Sequence, residues 1–238
     1  MASVPSNIGN KAARPSPTSL PTPTRAERRV MERVRQFDAY VQEASRKFGI
    51  SVESIRAIIA TESLGKADAN NGHAFGLMQI TPLTWRDAQN RISELRPYEF
   101  KEANWRDPRI NILFGTAVFK MKMQAVGVKP SDDSSAEIAV IAYNAGQGTV
   151  ARAIRNAKAG GSRNPTADCL KQEYLKPAIK DTKIYRYYLT GGGKRRNPYT
   201  NGSKPYNEAA AINAAVDLKF KEVSNYPLKV RTYLAAQI

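Results

Sequence analysis

Apolar residues recur every three or four positions along the first part of this chain, a spacing that places them on one face of an α-helix. The first such stripe consists of Val30, Val34, Phe37, Val41, Ala44 and Phe48. Gly49 follows directly, where glycine can adopt the left-handed conformation that ends a helix. The spacing therefore predicts one helix from about residue 26 to residue 48, packed on a core.

A second helix is predicted from Val52 to Ser63, because Ser51 is a good N-cap and Glu53 lies in the first turn. Glu62 lies at the end of this helix, on the same face as three isoleucines, Ile55, Ile58 and Ile59. Loss of solvation at such a place disfavours a charged carboxylate, so we expect a raised pKa for Glu62. A carboxyl group of this kind suits a general acid for glycosidic bond cleavage. The alternative is a glutamate that pairs with a nearby Arg or Lys.

The rest of the pattern is mainly helical. Residues 64–75 are typical of a loop, and Gly76–Ile80 is a short apolar run that predicts a strand or an extended turn. Apolar periodicity predicts further helices at residues 84–92, 108–123, 136–143, 149–159, 209–223 and 227–238.

Composition excludes several kinds of chemistry. The single cysteine, Cys169, rules out an intramolecular disulfide, and the single histidine, His73, makes a histidine-based triad or metal site improbable. We therefore expect neither a metal nor a cofactor, and carboxylates must carry any acid–base chemistry. Of the 238 residues 42% are hydrophobic, enough for the core of one moderate domain.

A formal net charge of +16 draws the chain to polyanions: nucleic acid, anionic lipid or an acidic wall polymer. Lys194–Arg196 with nearby Tyr199 would suit a nucleic-acid-binding module. No nucleic-acid-binding motif accompanies them, so nucleic acid is not expected as the main partner. No apolar run is long enough to suggest a transmembrane segment.

The chain divides by composition. Residues 1–25 form a Pro/Ser/Thr-rich segment that predicts a flexible tail or a docking segment that orders on a partner. Residues 26–238 are expected to form one domain. Within it, residues 160–206 are a basic, Tyr- and Gly-rich insertion, expected either to be solvated or to extend a binding cleft. The N-terminus has no hydrophobic segment typical of a secretory signal, so export would need another route.

Four motifs follow one another in the central part of the chain: Glu62–Ser63, Gly76–Pro82, Asp107–Gly115 and Ala142–Gly148. Their order resembles the Slt-type lytic transglycosylase family and its relatives, the goose-type lysozymes. A weaker match continues at Tyr226–Val230. The resemblance implies a mainly α, lysozyme-like (α+β) domain with a small β element beside a cleft. It also implies peptidoglycan glycan strands as the substrate, cut between N-acetylmuramic acid and N-acetylglucosamine.

The resemblance assigns Glu62 the role of catalytic acid/base. It implies that Met78 and Gln79 line the cleft and contact the sugar, and that the Tyr143 hydroxyl lies near the Glu62 carboxylate. The expected substrate-binding residues are Ser63, Asn70, Gly76, Met78, Gln79, Tyr143 and Asn144.

Family members of the transglycosylase kind use one glutamate and release 1,6-anhydro sugars without consuming water. Goose-type lysozymes carry acidic residues where this chain has Asn70 and Thr81, neither of which can activate water as a carboxylate. Asp68, two residues away from the first position, is the alternative. Transglycosylation is therefore favoured over hydrolysis by a muramidase. A virion structural protein that retains a lysozyme-like domain is a further alternative.

A wall-degrading domain without a secretory signal fits a bacteriophage enzyme, carried in the virion or released or injected into the periplasm. A bacterial secretion system is another route. In either setting, virion or delivery-machine proteins are expected to bind the tail of residues 1–25.

Overall fold

The computed structural model of the protein describes residues 21–127, 133–189, 200–201, 204–205 and 207–237. The fold is mainly helical, as predicted. The helices are α1 Arg25–Arg35, α2 Asp38–Phe48, α3 Val52–Ser63, α4 Pro82–Arg91, α5 Glu102–Arg106, α6 Pro108–Ala125, α7 Asp133–Ala145, α8 Gln147–Ala159, α9 Pro165–Asp168, α10 Gln172–Thr182, α11 Arg186–Leu189 and α12 Glu208–Ala235, with a 3₁₀ turn at Ser93–Leu95. The strands β1 (Thr200–Asn201) and β2 (Lys204–Pro205) pair antiparallel.

The first apolar stripe forms two helices instead of the single one predicted. α1 ends at Arg35 and α2 begins at Asp38, with Phe37 as the N-cap of α2. The break lets α1 pack on α3 and α12 while α2 packs on α6. The apolar spacing could not reveal it, because both helices keep the same face towards the core. Gly49 ends α2 in the left-handed conformation, as predicted, with φ at 68°.

Helix α3 occupies the predicted range. The Ser51 side chain accepts a hydrogen bond from the Ser54 backbone N–H at 3.2 Å. Ile55, Ile58 and Ile59 are at most 1% exposed and face the core between α1, α2 and α12. Burial of this face fixes the direction of the helix axis, and therefore the place where the last turn presents Glu62.

The end of the chain forms one helix, where the sequence predicted two. Pro227 lies inside α12 and lacks the N–H that would bond the carbonyl four residues before it. The helix continues because Val223, Tyr226 and Val230 are all buried, and their packing offsets the missing bond. As a result, residues on both sides of Pro227 remain on one continuous helix that packs against α3 and α7.

The described part of the predicted insertion contributes to the core. Leu175, Ala178 and Ile179 of α10 are fully buried, and α10 packs on α8 and α12. Their helical spacing was hidden in a segment whose glycines and basic residues dominated its composition. The runs Gly191–Gly193 and Lys194–Arg196 lie outside the described residues, as do residues 1–20 of the predicted tail.

The small β element predicted near residues 76–80 consists of two isolated bridges, Asn70 with Phe75 and Phe75 with Ile80. It is separate from the β1–β2 pair. Between Phe75 and Ile80 the chain makes a tight turn, in which the Gln79 N–H donates to the Gly76 carbonyl at 3.2 Å. None of the described helices combines the length and apolarity needed to cross a membrane.

Asn111 of α6 is fully buried and forms hydrogen bonds with this turn. Its Oδ1 accepts from the Met78 N–H at 2.9 Å, and its Nδ2 donates to the carbonyls of Phe75 and Trp105, both at 3.1 Å. One side chain thus satisfies three buried or partly buried backbone groups, which would otherwise incur a desolvation cost. These bonds fix the turn relative to α6.

Replacing Gly76 with Ala should destabilise the protein far more than the same change at Gly72. Both glycines have φ near +77°, where a side chain costs about 1 kcal/mol. A Cβ at residue 76 would also lie 2.5 Å from the Trp105 carbonyl oxygen and 2.2 Å from Asn111 Nδ2, whereas residue 72 has no atom within 4 Å. Urea denaturation should give losses of about 3 kcal/mol for Gly76→Ala and about 1 kcal/mol for Gly72→Ala. Equal losses would show that the turn yields to the added methyl group.

Candidate active site

A cleft of about 820 Å³ opens where the end of α3, the turn after residue 70, α6, α7 and α12 meet. Its wall combines two carboxylates, three tyrosines, several amides and four lysines. The residues used below are Glu62, Gln79, Lys122, Tyr143, Asn144, Tyr188, Lys219, Lys221, Glu222, Tyr226 and Lys229. Most of the lining residues are therefore polar or charged, and they are carried mainly on helices whose opposite faces form the core.

Glu62 projects from the last turn of α3 into this cleft. The Tyr226 hydroxyl donates a hydrogen bond to its Oε1 at 2.5 Å. Burial raises the pKa of Glu62 to about 7; the bond from Tyr226 opposes the rise, and the negative charge of Glu222 adds to it. The raised pKa expected from the sequence is confirmed. At neutral pH the carboxyl group can therefore both give and accept a proton.

The tyrosine that bonds to Glu62 is Tyr226, whereas the resemblance implied only that the Tyr143 hydroxyl lies near the carboxylate. Tyr143 does line the cleft, but its hydroxyl donates to the Met78 carbonyl at 2.8 Å. Burial, and after it the charge of Glu62, raises the pKa of the Tyr143 hydroxyl, which places this ring within electrostatic reach of the carboxyl. Tyr226 was missed as a site residue, although Tyr226–Val230 carried the weaker match.

Glu222 supplies a second carboxylate and was also missed. It lies one turn before Tyr226 on α12, and the i, i+4 spacing that places both on one face was its only signal in the sequence. It accepts hydrogen bonds from Lys219 Nζ at 2.7 Å, the Tyr188 hydroxyl at 2.7 Å and Asn144 Nδ2 at 3.0 Å. Burial alone would raise the pKa of Glu222, but Lys219 and these bonds outweigh it and lower the pKa. Glu222 is therefore the ionised carboxylate of the cleft.

Gln79 and Asn144 lie in the cleft wall, as the resemblance implied. Gln79 has a left-handed backbone with φ at 47°, which is uncommon for a residue with a side chain. Its Nε2 donates to the carbonyls of Ala69 at 3.1 Å and Gly76 at 2.9 Å. These bonds hold the amide in place against the turn.

Four other residues predicted to bind substrate do not line the cleft: Ser63, Asn70, Gly76 and Met78. Met78 was expected in the cleft wall but is fully buried, because its side chain packs against Gly115 of α6. Ser63 is buried and donates to the Ile59 carbonyl at 3.0 Å. The Asn70 side chain accepts from the Gly72 N–H at 2.7 Å. These residues shape the loop and the turn that carry the cleft wall.

Asp68, the alternative carboxylate for activating water, is not among the residues of the cleft wall, whereas His73 is. Within the part of the chain that the structure describes, no three His, Cys, Asp or Glu side chains are grouped so that they could hold a metal ion.

The family model of the Transglycosylase SLT domain matches residues 39–165, more than half of the chain. The chain therefore belongs to this family, whose members are lytic transglycosylases of peptidoglycan. The match includes Glu62, Gln79, Tyr143 and Asn144. The cleft residues of α12 lie beyond it, so the completed cleft extends past the matched segment.

Replacing Glu62 with Gln should stabilise the protein at high pH. The carboxyl titrates near 4.5 in its ordinary state and near 7 in the folded protein, so between these values the folded state binds more protons than the unfolded state. The wild type therefore loses stability as the pH rises through this window, by about 3 kcal/mol in total. Glutamine avoids this loss. Urea denaturation of both proteins below pH 4.5 and above pH 7 should show the difference only at high pH; a constant difference would contradict the raised pKa.

Replacing Tyr226 with Phe should raise the pKa of Glu62 further. The Tyr226 hydroxyl stabilises the ionised carboxylate by a hydrogen bond, and phenylalanine cannot form this bond. Tyr143→Phe is the matched control, since that hydroxyl bonds to the Met78 carbonyl instead. A ¹³C NMR titration of labelled glutamate, with Glu62→Gln for assignment, measures the change. A larger shift in the Tyr143 variant would reassign the contact.

Proposed function

We propose that the protein cuts the β-1,4 bond between N-acetylmuramic acid and N-acetylglucosamine in peptidoglycan and releases 1,6-anhydro products, with Glu62 as the single general acid and base. The observation that carries this proposal is the pKa of about 7 at a carboxyl group that lines the cleft of an SLT-family chain. A carboxyl with this pKa has both protonation states available at neutral pH, as a group that gives and later takes a proton requires.

In the first step, protonated Glu62 donates its proton to the glycosidic oxygen as the bond from that oxygen to the muramic C1 breaks. The N-acetyl group of the muramic residue helps to stabilise the positive charge at C1. In the second step, the ionised Glu62 takes the proton of the C6 hydroxyl, and the C6 oxygen bonds to C1. The anhydro ring closes, Glu62 regains its proton, and no water is consumed.

In this proposal Glu222 acts through its charge. An ionised carboxylate in the same cleft favours the protonated form of Glu62, and it would also favour positive charge at the anomeric centre. Lys219, Tyr188 and Asn144 already bond to it. These contacts fix its position and occupy lone pairs that a base would need for water.

We propose that Gln79, Tyr143 and Asn144 contact the glycan. The two donors of the Gln79 amide are used by backbone carbonyls, and its amide oxygen has no hydrogen-bond partner among the described residues. That oxygen can accept from a sugar hydroxyl or an acetamido N–H. Ser63, Asn70, Gly76 and Met78 act indirectly by shaping the turn.

Hydrolysis is the second candidate, and the presence of Glu222 favours it, because an inverting or retaining hydrolase uses two carboxylates. In that mechanism Glu222, and not Asp68, would be the second carboxylate. The two reactions leave different ends on the product, so one experiment decides between them.

The experiment is mass spectrometry of the soluble fragments released from purified peptidoglycan. We expect fragments one water lighter than reducing muropeptides, formed at least about a hundredfold more slowly by Glu62→Gln. Glu53→Gln is the matched control: the same change on the same helix, at an exposed residue outside the cleft. Reducing ends would contradict transglycosylation in favour of hydrolysis. Absence of fragments from the wild type would contradict the enzymatic proposal.

The proposed setting is local opening of the bacterial wall by a phage-encoded, virion-associated enzyme whose residues 1–25 dock on virion proteins. The net charge of +16 and the proline-rich segment support it. Mass spectrometry of purified particles of the encoding phage tests it, and absence of the protein from them would contradict virion association.

A further inference from the structure

Lys122 lines the cleft but has no role in the proposed acid–base mechanism. It lies on α6 one helical turn after Val118, and both residues line the cleft. Its Nζ donates to Gln147 Oε1, at the first residue of α8, at 3.1 Å. The ammonium group is thus held on the cleft wall between α6 and α8.

The charge of Lys122 is poorly compensated. It forms no ion pair with any residue that the structure describes, and a neutral amide oxygen is its hydrogen-bond partner there. Burial lowers the pKa of Lys122, and the charge of Asp87 only partly opposes this. An ammonium group removed from water without a carboxylate partner costs free energy. An anion entering the cleft would offset that cost.

The other charged residues of the cleft also favour an anionic ligand. Lys219, Lys221 and Lys229 also line it, against the two carboxylates of Glu62 and Glu222. Lys219 is paired with Glu222 at 2.7 Å, whereas Lys221 and Lys229 are exposed and form no ion pair within the described part of the chain. The cleft therefore has an excess of positive charge, which attracts anionic ligands and speeds their encounter.

We infer that Lys122 binds a carboxylate carried on the lactyl arm of a muramic residue, and so distinguishes peptidoglycan from neutral glycans. This inference rests on the proposed function, because it assumes that a glycan strand occupies the cleft. The carboxylate has two possible sources with the same chemistry: the free lactyl carboxylate of a peptide-free strand, or a carboxylate of the attached peptide. In either case Gln147 positions the ammonium group and Lys122 makes the charged contact.

Binding measurements in the Glu62→Gln background test the inference without turnover. The probes are three oligosaccharides of equal length: a neutral N-acetylglucosamine oligomer, a peptide-free glycan with free lactyl carboxylates, and a glycan that carries its peptides. Lys122→Met keeps the length of the side chain and removes its charge. It should weaken binding of a carboxylate-bearing probe by about tenfold and leave the neutral probe within about twofold. Lys122→Arg should restore most of the lost affinity.

Lys120→Met is the matched control, because it makes the same change two residues earlier on α6, outside the cleft. It should change none of the three affinities, and circular dichroism should show that all variants are folded. Weakening by Lys122→Met of the peptide-free probe alone assigns the lactyl carboxylate, because the lactyl group of the peptide-bearing probe is an amide. Weakening of the peptide-bearing probe alone assigns a carboxylate of the peptide, and weakening of both shows that Lys122 accepts either carboxylate.

Equal effects on all three probes, or none, would overturn the inference. If the wild type still releases anhydro fragments, such a result contradicts the role of Lys122 but not the proposed function. If none of the probes binds and no fragments form, the proposed function fails with it.

Discussion

The hydrogen bond from Tyr226 to Glu62 joins residues 164 positions apart in the chain and connects α12 to the end of α3 at the cleft. Each partner depends on the packing of its own helix. The isoleucines of α3 fix where Glu62 emerges, and the buried face of α12 fixes Tyr226 on the opposite side. Because both helices are anchored in one core, the short contact between their polar ends follows from burial of their apolar faces.

This arrangement makes the last helix part of the site. The segment that matches the SLT domain ends at residue 165, yet Lys219, Glu222 and Tyr226 all come from α12. A protein reduced to the matched segment would keep the glutamate of α3 but lose its hydrogen-bond partner and the neighbouring charges. The hydrogen bond and the neighbouring charges that adjust the pKa of Glu62 therefore come from outside the segment that identifies the family. Helix α10 supports α12 by packing on it.

Much of this could be predicted from the sequence where local rules act alone. The cap at Ser51, the apolar face of α3 and the place of Glu62 at its end were sufficient for the helix and for the raised pKa. The pairing of Tyr226 with Glu62 could not be predicted, because nothing local determines which of two tyrosines on different helices faces one carboxylate. Continuity of α12 through Pro227 was missed for a related reason: packing of the surrounding apolar residues outweighs a local helix-breaking preference. Met78 shows the same limit, since its burial depends on the space left by Gly115 on another helix.

The backbone of Gln79 has a consequence for the design of the cleft. A left-handed conformation is one that glycine would adopt without strain, and a glycine here would relax the turn but leave the wall without an amide. The protein instead bears a small, permanent conformational strain in the folded state, held by Asn111 and by the carbonyls of Ala69 and Gly76. The amide is thus oriented by the fold itself. Part of the conformational entropy that is lost when the cleft is ordered is lost during folding, so a ligand that contacts this amide does not have to compensate for it.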